Sequence, residues 1–249
     1  DGTTLAAALG GPPAGARPDL LGRIGAFVEL HIEQGRALID LGAPVGVASG
    51  IWPHGRWRFD ITGEPNHAGT TRMSDRRDPM LTYAFTVLAA NKEARLRGAH
   101  ATMGRVEVEP NATNAIPARV RGWLDARAAD PATLAAVVEA VRAKAAERAA
   151  RDGTELTLTR ESLSDEVTFD GGLIEATRRL LADDVPVLPT AAGHDAGILA
   201  GHVPTAMLFV RNPTGVSHSP AESATDEDCV AGVRRLAELL AELSGAGQA

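Results

Sequence analysis

Residues 119–127, RVRGWLDAR, alternate between charged and apolar positions, with Val120, Trp123 and Leu124 set among Arg119, Arg121 and Arg127, and read as a β-strand. The same kind of patterning extends outward on both sides. Residues 56–62 alternate as a strand, 79–96 carry helical spacing, and 101–109 alternate with Met103, Val106 and Val108 spaced for one face or its bulged edge. Residues 131–151 predict a helix, with Pro131 in its first turn and Gly153 beyond its end. Residues 155–160 close the series as a strand through Leu156 and Leu158. The order β-α-β-β-α-β over residues 52–163 is that of the split, ferredoxin-like unit.

The flanks read differently. A short helix over 4–9 runs into the loop Gly10-Gly11-Pro12-Pro13, residues 26–32 form an apolar strand, and a helix over 33–41 stops at Gly42. Towards the other end come a helix over 173–181, a buried-type strand over 204–210 and an amphipathic closing helix over 225–243. Asp226, Glu227 and Asp228 lie in the first turn of that last helix, where they favour its dipole. The fold class is therefore α/β: residues 1–51 and 164–249 make one α/β sheet domain, interrupted by the unit at 52–163.

With 249 residues, 44% hydrophobic and 23% charged, the chain can bury a sizeable core and has no apolar run long enough to span a bilayer. A net charge of -7 argues against nucleic acid or an anionic membrane as partner. Cys229 is the single cysteine, so an intramolecular disulfide and a CxxC metal site are both excluded, which fits a reducing, cytoplasmic location. The sequence opens at Asp1 rather than Met, with no signal-like segment, and a preceding segment is expected.

Four of the seven histidines sit in settings that suit chemistry. His31 ends a strand and is followed by Glu33, Gln34 and Gly35; an imidazole fixed there can serve as a metal ligand. His67 lies in the small-residue turn Asn66-His67-Ala68-Gly69-Thr70-Thr71, which allows close approach to a ligand. His194 follows Gly193 and precedes Asp195, and His218 sits in Ser217-His218-Ser219-Pro220, a loop before the closing helix. Arg56 and Arg127 bracket strands of the central unit and carry the planar fork that suits a carboxylate, while Asn114 at a chain reversal can both donate and accept. Arg58, Arg119 and Arg121 are read as solvating one sheet face.

Taken together, His31-Ile32-Glu33-Gln34-Gly35, His67-Ala68-Gly69-Thr70-Thr71 with Arg76-Arg77-Asp78, Asn114-Ala115-Ile116-Pro117, Leu124-Asp125-Ala126-Arg127, Gly193-His194-Asp195-Ala196 and Ser217-His218-Ser219-Pro220 with Glu222 resemble the N-carbamoyl-L-amino-acid hydrolases, allantoate amidohydrolases and β-ureidopropionases. These belong to the aminoacylase-like dinuclear metallohydrolases, and the resemblance covers essentially the whole chain. It implies a homodimer with a catalytic α/β domain and an inserted lid and dimerisation domain. It further implies His31 as ligand of one metal and His218 of the other, with His67 stabilising the oxyanion. Asn114 and Arg127 would hold the substrate carboxylate, Gln34 and Arg56 would contact substrate, and Gly193 and His194 would line the pocket. The implied reaction is attack of a metal-bridging hydroxide on a ureido or amide carbon, with two divalent ions (zinc, manganese, nickel or cobalt) and a small ureido acid as substrate.

The family also uses a His-x-Asp motif, a bridging Asp and a Glu-Glu pair, and neither His-x-Asp nor Glu-Glu occurs in this chain. The expectation is therefore an N-terminally truncated piece, inactive alone, whose full-length parent is the hydrolase. The alternative is a catalytically inactive dimerising module. A related dipeptidase or aminoacylase fits less well, because those relatives usually place a carboxylate at the position of His31.

Overall fold

The structure, a computed structural model, describes residues 2–12, 18–181 and 184–245. Pro13, in the predicted loop, lies outside them. The chain divides into two compact units: residues 1–48, 169–188 and 194–249, and residues 49–168 with 189–193.

The first unit begins with helices α1 (Leu5–Ala8), capped by the Thr4 hydroxyl, and α2 (Pro18–Leu21). Strand β1 (Phe27–Ile32) follows, then helix α3 (Ala37–Leu41) and strand β2 (Val45–Ile51). The sequence predicted that this helix starts at residue 33, and the structure starts it at Ala37. The reason is local. Glu33 is buried and bends its carboxylate back onto the helix start, accepting from the Ala37 N–H at 2.8 Å and the Leu38 N–H at 2.9 Å. The side chain thus caps the helix and satisfies two of its orphan donors. Gly42 ends the helix in the left-handed conformation, φ 68°.

The second unit is built on β3 (His54–Thr62), β4 (Asn66–His67), α4 (Pro79–Leu96), β5 (His100–Glu109), β6 (Ala115–Ile116), β7 (Arg119–Arg127), α5 (Pro131–Asp152), β8 (Glu155–Ser164) and β9 (Val167–Thr168). Both long helices carry Pro in the first turn, with Asp78 and Asp130 accepting backbone N–H groups as N-caps. The main sheet is antiparallel in the order β5-β7-β3-β8, so the first and third strands lie centrally. This is the arrangement of the βαββαβ unit. Along β7 every second residue is buried, and Val120, Leu124 and Ala126 are fully so. Leu124 and Ala126 pack with Trp57 and Phe59 of β3, and with Leu134, Val137 and Val141 of α5, into one core, while Val120 packs with Ile61 and Tyr83 in a second cluster.

Returning to the first unit, α6 (Gly171–Leu181), β10 (Val187–Thr190), α7 (Asp195–Leu199), β11 (Thr205–Val210) and α8 (Asp226–Leu243) complete the chain. The sheet order is β1-β11-β2-β10, and β9 pairs with the end of β2. β1 and β11 run parallel, from Phe27 opposite Thr205 to Ile32 opposite Val210. Every residue of β11 is buried, as a strand covered on both faces requires. Thr225 caps α8 and Arg211 holds the buried Asp228 with two bonds of 2.8 and 3.0 Å, which fixes the helix start against the end of β11.

Phe59 has no exposed surface. Phe59→Ala is expected to cost about 3–5 kcal/mol in the second unit, read as a shift of its midpoint in urea or guanidinium unfolding.

Candidate functional site

In the first unit the period-two geometry of β1 turns Glu29 and His31 to the same face of the strand. His194, at the N-cap of α7, completes a group in which one donor atom from each of the three residues lies within 4.8 Å of the others. The imidazoles of His31 and His194 meet edge to face with centroids 4.6 Å apart. The Nδ1 of His31 is 2.7 Å from the Ile32 carbonyl, which can only accept, so Nδ1 carries the proton and Nε2 keeps its lone pair. Glu29 takes the Ala196 N–H on Oε2 at 2.7 Å, and its Oε1 lies 3.5 Å from His194 Nδ1. The His194 side chain is 2% exposed, and its Nε2 has no hydrogen-bond partner. Burial, followed by the neighbouring His31, pushes its imidazolium below the ordinary histidine range despite the pull of Glu29 and Asp195.

A carboxylate and two imidazoles, one with an orphaned buried nitrogen, are the donor types a divalent transition-metal ion takes. The residues present therefore fit one such ion. Sequence reasoning picked out His31 and His194 but missed Glu29. Its signal was the Glu29-x-His31 spacing on a strand, which passes for ordinary polar alternation.

Gln34 and His218 also belong to the first unit. Gln34 donates to the Ser217 hydroxyl at 3.1 Å, Ser217 donates to Glu222 at 3.1 Å, and the His218 N–H donates to the other Glu222 oxygen at 3.0 Å. Glu222 thereby holds His218 in a left-handed backbone conformation, φ 57°, unusual for a non-glycine residue. The His218 side chain is exposed and lies outside the Glu29–His31–His194 group.

The remaining predicted residues lie in the second unit. The two-residue ladder of β4 and β6 sets His67 opposite Ala115, and the Asn114 carbonyl accepts from the Ala68 N–H at 3.0 Å. His67 and Asn114 are thus brought together. The N–H groups of Gly69 and Thr70 donate to His67 Nδ1 at 3.0 and 3.2 Å. A backbone N–H can only donate, so Nδ1 is unprotonated and a neutral His67 presents an Nε2–H donor. Arg76 pins the same loop through the Ala68 and Thr71 carbonyls. A Cβ at Gly69 would crowd the imidazole at 3.2 Å, which accounts for glycine there.

Asp125 organises the arginines. It lies opposite Arg56 across β3 and β7, 3.5 Å from that guanidinium, and accepts from Arg127 Nε and Nη2 at 2.7 and 3.0 Å. Burial pushes the Asp125 carboxyl up, but Arg127 and Arg56 outweigh it and hold it below the usual carboxylate range. Arg127 also donates from Nη1 to the Ala191 carbonyl at 2.6 Å. Three of its five N–H groups are committed, leaving one on each terminal nitrogen. Gly193 is exposed, with open space where a Cβ would stand. The sequence named Asp125 within a motif and gave it no role; its two-arginine contact depends on cross-strand register.

Residues 9–242 match the family described as Peptidase family M20/M25/M40. The chain is 38% identical over 247 residues to the N-carbamoyl-L-amino acid amidohydrolase of Geobacillus stearothermophilus, covering 95% of this chain and 60% of that protein. It is 34% identical over 228 residues to the allantoate amidohydrolase of Escherichia coli K12, covering 89% of this chain and 55% of that one. The crystal structure of an amidase of the hydantoinase/carbamoylase family from Burkholderia vietnamiensis is similar with a TM-score of 0.82 at 34% identity, over 87% of this chain and 54% of that chain. The chain thus spans a little over half the length of these relatives. Given a match that covers all but its extremities, the chain belongs to peptidase family M20/M25/M40.

Proposed function

We propose that the chain is part of a metal-dependent hydrolase that cleaves a linear C–N bond in a ureido acid, an N-carbamoyl amino acid or allantoate. The observation that carries this reading is His31 at the end of β1, whose Nδ1 is committed to the Ile32 carbonyl so that Nε2 keeps a lone pair for a metal, with the nearly buried ring of His194 beside it. The relatives named for N-carbamoyl-L-amino acid and allantoate hydrolysis support the bond type. In this reading His31 and His218 are metal ligands, and His67 is catalytic. Gln34, Arg56, Asn114, Arg127, Gly193 and His194 contact substrate. Residues 1–51 and 164–249 form the catalytic domain, and 52–163 the lid and dimerisation domain of a homodimer.

A divalent ion, zinc, manganese, nickel or cobalt, when bound supplies Lewis acidity and makes water a nucleophile near neutral pH. The chain's own residues do the rest. The two N–H groups that Arg127 keeps free form an end-on fork for the substrate carboxylate, while Asp125 holds the guanidinium still. Asn114 donates from its amide to the same carboxylate. Addition of water to the ureido carbon puts negative charge on its oxygen, and the Nε2–H of His67 donates to that oxygen from a loop that Arg76 ties through the Ala68 carbonyl. The C–N bond then breaks and a proton from the water leaves with the amine. The Arg211-Asn212-Pro213-Thr214-Gly215 run, where the buried Asn212 side chain ties its own turn together, inclines the choice of substrate towards allantoate.

Turnover of allantoate and of an N-carbamoyl-L-amino acid, with zinc or manganese supplied to the full-length protein, tests the reading; hydrolysis of neither would sink it. In a protein that turns over, His67→Ala is expected to lower kcat by about 10²–10³-fold, and an unchanged kcat removes His67 from the mechanism. Arg127→Ala is expected to raise KM by about 10–100-fold, the worth of charge-assisted hydrogen bonds, with a smaller effect on kcat; steady-state kinetics on both substrates decide it. Light scattering is expected to give the mass of a dimer, and a clean monomer counts against the dimerisation role of residues 52–163.

A further inference from the structure

We infer that the second unit carries a binding site for an arylalkyl monocarboxylate, in the cavity between α5, the start of β3 and the end of β8, with Arg160 taking the carboxylate. The cavity is about 350 Å³, within the range that holds small ligands, and Trp57, Leu134, Val138, Arg160 and Leu163 line it. None of these residues serves the proposed hydrolysis, so the two readings stand or fall separately.

An irregularity in one ladder builds the cavity. β3 and β8 pair with a bulge, so that Trp57 stands opposite Arg160 but Arg56 opposite Ser162. Glu161 is the extra residue, and it accepts from Arg58 and Trp123 on the sheet face away from Trp57. Residues three apart on a regular strand face opposite ways. Here the bulge sets Leu163 opposite Gly55, and therefore on the same face as Arg160 and Trp57. A Cβ at Gly55 would stand 2.5 Å from the Trp57 ring, so glycine there lets the indole reach along the strand as an aromatic floor. Leu134 and Val138, one turn apart on α5, form the facing wall. The charges point to an acid. The other strand arginines of this sheet, Arg56, Arg58, Arg105, Arg119, Arg121 and Arg127, each pair with an Asp or Glu. Among the described residues Arg160 has no such partner, and its register puts it beside the Trp57 floor. Its planar fork matches a carboxylate while the apolar lining takes the ring. Of the two acids at the lining, Glu139 is held by Arg142 at 2.6 and 2.8 Å, and Asp165 lies beyond the end of β8, outside the ladder that carries Arg160.

The test is NMR titration of the 249-residue chain with 3-phenylpropionate, its uncharged amide and 3-phenylpropylamine. The acid is expected to bind with a dissociation constant on the order of 1 mM or below, and more tightly than the amide or the amine. Arg160→Gln is expected to weaken the acid about tenfold, the worth of a charge-assisted hydrogen bond, and to leave the amide unchanged. A purely structural role for Arg160 would not separate the two ligands. Leu163→Gln, at a side chain 48% exposed, is expected to weaken acid and amide alike while the melting transition stays in place. The inference is overturned if the parent chain does not bind the acid, or if Arg160→Gln binds it as the parent does. An amine that binds more tightly than the acid also overturns it, and assigns the cavity to cations through Asp165.

Discussion

Parallel pairing of β1 with β11 is the constraint from which the candidate site follows. Six consecutive rungs hold β1 against a strand buried along its whole length, so the faces of β1 are not free to exchange. A slip of one residue would carry Glu29 and His31 to the opposite side and leave the unpartnered nitrogen of His194 facing hydrocarbon. Keeping polar donors beside a buried ring is costly on its own. The fold offsets this by giving almost every nearby polar atom a partner: Glu29 has the start of α7, His31 has its neighbour's carbonyl, and Glu33 has the start of α3. Of these groups, the buried atom left without a partner is the Nε2 of His194.

The second unit solves a different problem, that of concentrating arginines on a sheet without mutual repulsion. The β3–β7 register sets Asp60 opposite Arg121 and Asp125 opposite Arg56, so each carboxylate sits between two guanidiniums. Burial opposes the charge of Asp60, yet Arg58 and Arg121 hold it below the usual carboxylate range, as Arg127 and Arg56 do for Asp125. Arg58, Arg119 and Arg121, read from sequence as covering one sheet face, are each paired with Asp60, Glu107, Glu109 or Glu161.

Elements with strong periodicity were legible before any coordinates. The helices at Pro79–Leu96 and Pro131–Asp152 and the strand at Arg119–Arg127 stand where pattern and caps place them, because core packing and local preference agree there. The strand Val45–Ile51 was not legible. Its run of Gly, Ala and Ser lacks strand propensity, and its glycines answer to neighbours distant in sequence: a Cβ at Gly50 would collide with the Val167 carbonyl, and one at Gly46 would press on Leu38. Likewise, motifs named the candidate histidines, but the tautomers of His31 and His67 and the double contact of Asp125 follow from bonds that only the folded chain makes.

Gly50 and Ile51 pair with Thr168 and Val167, so the chain enters and leaves the βαββαβ region through adjacent rungs of one ladder. Joining those two points is a hairpin-sized closure however much chain lies between them, and loop entropy grows only slowly with length. The intervening sequence can therefore lengthen or shorten while the mixed sheet, with β1 parallel to β11 and β2 antiparallel to it, keeps its register. At that closure Gly50 leaves no room for a side chain, since a Cβ there would stand 2.2 Å from the Val167 carbonyl oxygen.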